Sequence, residues 1–174
     1  MYLLKPLALL AAATLAICAV STLHAANEVE SISTEDFVEE ASAKGIAEIE
    51  TAKLALEKAR SEDVKGFAQM MIDDHRRANQ QLGELAKSKD LEVSDDAELI
   101  NQAKAMVLQL RSEESFDKAY MNNQVVAHQQ TIELFRRGVK VDDEEIAAFA
   151  RETLPKLEQH LQHAERINGA LPEN

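Results

Sequence analysis

Four metal-binding side chains in this sequence fall where a helical bundle would bury them: Glu48, His75, His128 and His160. Each histidine interrupts an apolar stripe of helical period. His75 follows Met71 and precedes Ala78 and Leu82, His128 lies between Val125 and Ile132, and His160 lies between Leu157 and Ala164. Glu48 stands beside the small face made by Ala41, Ala52 and Ala55. Imidazole and carboxylate together suit zinc, copper or iron. A buried charge or imidazole without partners costs several kcal/mol, so these groups are expected to meet one another or an ion. Asp74 would then orient one of the histidines, or add a ligand itself. Asn79, Tyr120 and Gln124 are expected around the layer. The same residues allow a second reading: a closed hydrogen-bond network in which Glu48 pairs with histidine while Asn79, Tyr120, Gln124 and Thr153 complete it.

The relative heights of the four can be compared from spacing alone. In an antiparallel hairpin, residues at one level are equally far from the turn. Glu48 and His75 are centred on Ser61 and Glu62, where a turn is expected, and His128 and His160 are centred on Glu144, close to a second turn. His75 and His128 each lie about 12 to 13 residues into their helices, which a long crossover would make parallel. All four therefore converge on one mid-bundle layer.

The elements that must hold this layer are helices throughout. Ala, Leu, Glu, Lys and Gln dominate the chain beyond residue 30, and no segment alternates like a strand. The first helix starts near Ser33 or Thr34, with a stripe of Phe37, Val38, Ala41, Gly45, Ile49, Ala52, Leu56 and Ala59. Ser61 is expected to cap the second helix, which turns Val64, Phe67, Ala68, Met71, Ala78, Leu82 and Leu85 inward. The third runs from Phe116 to about Val139, and the fourth opens at Asp142 or Asp143. Pro155 lies inside the fourth and is expected to kink it. Tight turns join the first helix to the second and the third to the fourth. A stretch from Asp95 to Arg111, about 25 Å long if helical, carries the chain back between the hairpins. The fold class is all-α: a ferritin-like four-helix bundle over residues 33–168, of two antiparallel hairpins joined by a long, partly helical crossover.

Other chemistries are less well supported. A di-iron centre needs Glu-x-x-His on two helices, and the residues three before these histidines are Ile72, Val125 and Leu157. His163 is expected to face solvent. Met70, Met71, Met106 and Met121 read as scattered core fillers. No nucleophile or cofactor loop supports an enzyme.

Residues 1–26 read as a signal peptide: Lys5, an apolar run from Leu7 to Val20, and a small-residue cleavage site at Ala25 or Ala26. The run falls short of the about 20 residues that span a bilayer, so no transmembrane segment is expected in the mature chain, whose expected location is the periplasm. Ile17 before Cys18 argues against lipid attachment. Cleavage removes Lys5 and the single cysteine, leaving the mature chain one unit more negative than the −12 of the whole sequence. Such a surface excludes nucleic acid as an ordinary partner; a protein partner is not identified by the sequence.

The segments DFVEEASAKGIAEIETAKLAL, VKGFAQMMIDDHRRANQQL, FDKAYMNNQVVAHQQTIELF and FARETLPKLEQHLQHAERI together resemble an exported bacterial family, domain of unknown function 4142. The resemblance covers roughly residues 35–168 and falls on Glu48, Asp74, His75, Asn79, Asp117, Tyr120, His128, Pro155, Leu157 and His160. It implies a ferritin-like bundle in the bacterial envelope and no settled reaction. The family's frequent outer-membrane label finds no β-barrel pattern here. Members commonly carry an acidic residue just before the third-helix histidine, where this chain has Ala127. Two functions remain in view: a metal-binding protein for metal handling or oxidative-stress protection, and a structural or partner-binding envelope protein whose buried layer only fixes packing.

Overall fold

The computed structural model describes residues 31–94 and 113–172. The expected signal peptide and the expected crossover stretch from Asp95 to Arg111 lie outside the described residues. Four long helices account for the fold: α1 (Thr34–Lys58), α2 (Glu62–Ser88), α3 (Glu113–Gly138) and α4 (Glu144–Ala170). The described residues contain no strand.

Local chemistry sets where each helix starts and stops. The Ser33 hydroxyl accepts from Asp36 N at the start of α1, and Asp143 accepts from Glu145 N and Ile146 N at the start of α4. Acidic residues fill the first turns of α1, α2 and α4, complementing the positive helix ends. Beyond α2 the backbone turns at Asp90, whose φ is 56°, and Leu91 N donates back to Ala86 O. Such a left-handed residue is a common way to satisfy the last helical carbonyls. Helix α4 runs on through Pro155 to Ala170.

Ser61 differs from expectation. It occupies the N-cap of α2, yet its side chain makes no cap bond. Asp117 of α3 does that work from across the bundle, accepting from Ser61 N at 2.8 Å and from Arg60 N at 3.2 Å. A carboxylate is the better acceptor for the exposed amides of a helix start, and here it also ties α3 to the α1–α2 turn.

These links give the topology. Helices α1 and α2 form one antiparallel hairpin, α3 and α4 the other. The end of α1 meets the start of α3 through Asp117, and the start of α1 meets the end of α3 where Phe37 packs edge-on against Phe135 at 5.2 Å. At the far end Lys89 pairs with Asp143 at 2.9 Å, so α2 ends where α4 begins. Helices α2 and α3 therefore run parallel, and the chain leaves α2 at one end of the bundle to enter α3 at the other. The structure is the expected all-α four-helix bundle.

Two apolar clusters flank the middle. One joins Phe37, Leu82, Phe135, Phe149 and Leu157; the other joins Phe67, Met71, Phe116, Tyr120 and Met121 near the α1–α2 turn. Two glycines permit close approach. Any Cβ on Gly138 would collide with the Phe37 ring, and any on Gly45 would collide with the Asn79 amide. The α1 stripe is rotated slightly from expectation: Glu48 and Ala55 are buried, whereas Ile49 and Leu56 are only partly so. Small residues let α1 lie against both neighbours, and the larger apolar side chains sit at its edges.

Replacing Asp117 with alanine is expected to cost about 1–2 kcal/mol, the usual loss for a cap. Thermal unfolding of the variant would show a melting temperature lowered by roughly 3–6 °C, and an unchanged melting temperature would contradict the cross-bundle cap.

Candidate metal centre

Three of the four helices each place one imidazole in the gap between the apolar clusters. His75 on α2, His128 on α3 and His160 on α4 are 6 %, 1 % and 2 % exposed. Their ring centroids form a near-equilateral triangle: 5.8 Å from His75 to His128, 5.6 Å from His75 to His160, and 5.5 Å from His128 to His160. One ring nitrogen from each lies within 4.8 Å of the other two. Some point therefore lies no more than about 2.8 Å from all three nitrogens, against about 2.0–2.1 Å for a zinc–imidazole bond. Side-chain shifts of under an ångström would close that difference.

Hydrogen bonds on the outer sides of two rings decide which nitrogens face inward. His128 Nδ1 lies 2.9 Å from the Gln124 carbonyl oxygen, one turn earlier on α3. A carbonyl only accepts, so Nδ1 carries the proton and Nε2 keeps its lone pair. His160 Nε2 lies 3.0 Å from Asp74 Oδ2 and donates to it, leaving Nδ1 free. His128 Nε2, His160 Nδ1 and His75 Nε2 are all buried without a hydrogen-bond partner. A carboxylate or carbonyl behind the ring is the usual way a protein orients a metal-binding histidine.

Burial keeps His75 and His160 neutral. Burial pushes His75 down to about 4, against a partly opposing pull from Glu48 and a further push from His128. Burial likewise lowers His160 to about 4, opposed by its hydrogen bond to Asp74. Asp74 would be raised by its own burial, but the His160 hydrogen bond and the charges of Lys156 and Arg77 hold it below the ordinary carboxylate value. Lys156 and Arg77 stand 3.7 Å and 3.6 Å from it. The His160–Asp74 contact is thus a neutral N–H donating to a carboxylate.

Glu48 lies beside the triangle rather than within it. It is buried on α1, and its Oε2 accepts from Gln124 Nε2 at 2.8 Å. Gln124 therefore supports the layer twice, through its amide to Glu48 and its carbonyl to His128. Tyr120 is one turn further along α3, its ring stacked on Phe116 and its hydroxyl buried without a partner. Burial, and then the nearby Glu48 charge, push that hydroxyl well above its ordinary value.

Other expected members of the layer point elsewhere. Asn79 donates to the Ser42 carbonyl, bridging α1 and α2 one turn beyond His75. Thr153 donates to the Phe149 carbonyl of its own helix. His163 is half-buried rather than solvent-facing, with its ring edge-on to Phe67 at 5.5 Å. Phe67, absent from the sequence-derived site, also stands edge-on to His128 at 6.4 Å and closes the layer on that side. Its apolar spacing marked it as core and carried no sign of contact with the histidines.

Acid should expose the strain in the metal-free protein. A folded-state pKa near 4 lies below the ordinary 6.5 of an unfolded histidine. Between those values the unfolded chain binds more protons, so stability falls as pH drops from about 6.5 to about 4. Urea denaturation across this range should show a loss on the order of a few kcal/mol, and His75→Gln should flatten the slope.

No curated protein and no solved structure matches the chain significantly. Over residues 19–167 the chain matches the family described as Domain of unknown function (DUF4142). That span takes in α1 to α3, α4 as far as Ile167, and every residue of the imidazole triangle, and the protein belongs to this family.

Proposed function

We propose that this protein is a ferritin-like metal-handling protein of the bacterial envelope, binding one transition-metal ion at His75, His128 and His160. The observation that carries the reading is the convergence of three buried histidines, each with a ring nitrogen within 4.8 Å of the others and each with a buried nitrogen that has no hydrogen-bond partner. Zinc, copper and iron all accept this donor set. His75 and His160 are already neutral, so binding near pH 7 displaces no proton from either. Glu48 supplies a buried negative charge beside the ion, and Asp74 fixes the ring of His160. The leader read from the sequence is the basis for an envelope location.

A purely structural layer fits less well. Such a network would pair its own members, because an unmade buried hydrogen bond costs about 1–3 kcal/mol. Glu48 does pair with Gln124, but it bonds to no histidine, Asn79 and Thr153 bond to helix carbonyls, and one nitrogen of each ring stays open. Their cost is understandable when an ion completes the site.

Protein prepared without a histidine tag should take up one equivalent of zinc, copper or ferrous iron in equilibrium dialysis. At a hundredfold excess over Kd its melting temperature should rise on the order of 5–10 °C. His128→Gln should abolish uptake while circular dichroism still reports a helical fold. A protein that stays metal-free with all three ions overturns the reading.

Glu48→Gln separates the two readings further. Removing a buried carboxylate that has only an amide partner should leave metal-free stability unchanged or higher, while metal affinity drops about 10–100-fold. A structural network predicts the reverse: lower stability and no metal-dependent difference between the variant and the wild type.

A further inference from the structure

The imidazole triangle is not sealed on every side. A cavity of about 30 Å³ adjoins it, bounded by His75 and His160 and, for much of the rest, by Leu82, Phe135, Phe149 and Leu157. That volume admits about two water-sized molecules. Its partly exposed lining residues all belong to α2 and α4, so it opens between those two helices.

Apart from the open nitrogens of His75 and His160, the polar groups around the cavity already have partners. The Thr131 hydroxyl donates to the Ala127 carbonyl, the Thr153 hydroxyl to the Phe149 carbonyl, and the Asn79 amide to the Ser42 carbonyl. Lys156, the exposed cation of the lining, stands 3.7 Å from Asp74. An anion entering here would lose its hydration and meet the Asp74 carboxylate. An organic substrate would not fit. Three protein ligands, meanwhile, leave a coordination position for an exogenous molecule.

We infer that the cavity admits a neutral diatomic molecule, of the size and polarity of dioxygen, to the open position of the ion held by His75, His128 and His160. This rests on the metal-binding reading above. It assigns the site a gas-sized ligand in place of bare ion storage.

The probe is nitric oxide added anaerobically to protein loaded with ferrous iron, read by electron paramagnetic resonance. Ala78→Leu and Thr153→Leu each place bulk in the cavity from a partly exposed position, so the added side chain can yield toward solvent. Wild-type protein should give the ferrous–nitrosyl signal. Each variant should keep iron affinity within about threefold and lose nitric oxide affinity about tenfold or more. Azide at equal concentration should not compete. A variant that binds nitric oxide as well as wild type, or azide that displaces it, overturns the inference while the metal site stands. Iron-loaded wild type without a nitrosyl signal does the same, as does uptake of zinc or copper but not iron. Failure to take up any of the three metals overturns both readings. Xenon-pressurised crystals of the metal-free protein give an independent readout, in which a xenon peak in the wild-type cavity should vanish in both variants.

Discussion

Burying three imidazoles within 6 Å of one another, centre to centre, makes positive charge in the middle of this bundle costly. Each ring is stripped of water, and a proton on one would repel a proton on the next. A neutral imidazole has one donor nitrogen and one acceptor nitrogen. Gln124 and Asp74 take the donors of His128 and His160 from outside, which leaves the acceptor nitrogens of those two rings without a partner, beside the equally unpartnered His75 Nε2. No hydrogen bond joins those nitrogens to one another. A Lewis acid is the natural complement to three converging lone pairs. The adjoining Glu48 carboxylate favours a cation for the same reason that it raises the Tyr120 hydroxyl.

A layer so poorly satisfied needs support from elsewhere, and the fold supplies it at both ends. The aromatic cluster of Phe37, Phe135 and Phe149 lies toward the α2–α4 end, while Phe67, Phe116 and Tyr120 lie toward the α1–α2 turn. Full burial of such side chains contributes about 1.5–3 kcal/mol apiece, so the two clusters can carry several unmet polar atoms between them. Specific contacts then fix the heights of the helices. Asp117 pins the α1–α2 turn to α3, Asn79 ties α2 to α1 over Gly45, and Gly138 lets α3 close onto Phe37. A slip of one residue on any helix would rotate its imidazole by about 100° and break the triangle.

The four helices were legible because their chemistry is local. Ser33, Asp143 and the acidic first turns are read directly from the chain, and the 3.6-residue stripes show what each helix buries. Equal distance from the turns pairs Glu48 with His75 and His128 with His160, and a crossover that makes the second and third helices parallel brings the two pairs to one level. The cap of α2 was not legible. Ser61 has the right type in the right place, but an acceptor 56 residues away is better aimed. The rotation of α1 escaped for a related reason. Ile49 and Leu56 are more apolar than Glu48 and Ala55, and only the closeness of two neighbouring helices makes the small side chains the buried ones.

Asp74 marks where spacing stops being informative about a site. It adjoins His75 in the chain, and the simplest inference pairs those two. Consecutive residues on a helix point about 100° apart, however, so a side chain is poorly placed to orient its immediate neighbour. Asp74 reaches across the α2–α4 interface to His160 instead, 86 residues away, while Lys156 and Arg77 hold its charge from the solvent side. His128 takes the opposite route and uses the carbonyl one turn back on its own helix, an acceptor that every helix provides and no side-chain motif records. The ligands of a bundle site can thus be read from periodicity, because each must lie on an inward stripe. The groups that set their tautomers cannot, because they depend on which helix faces which, and that is decided by packing.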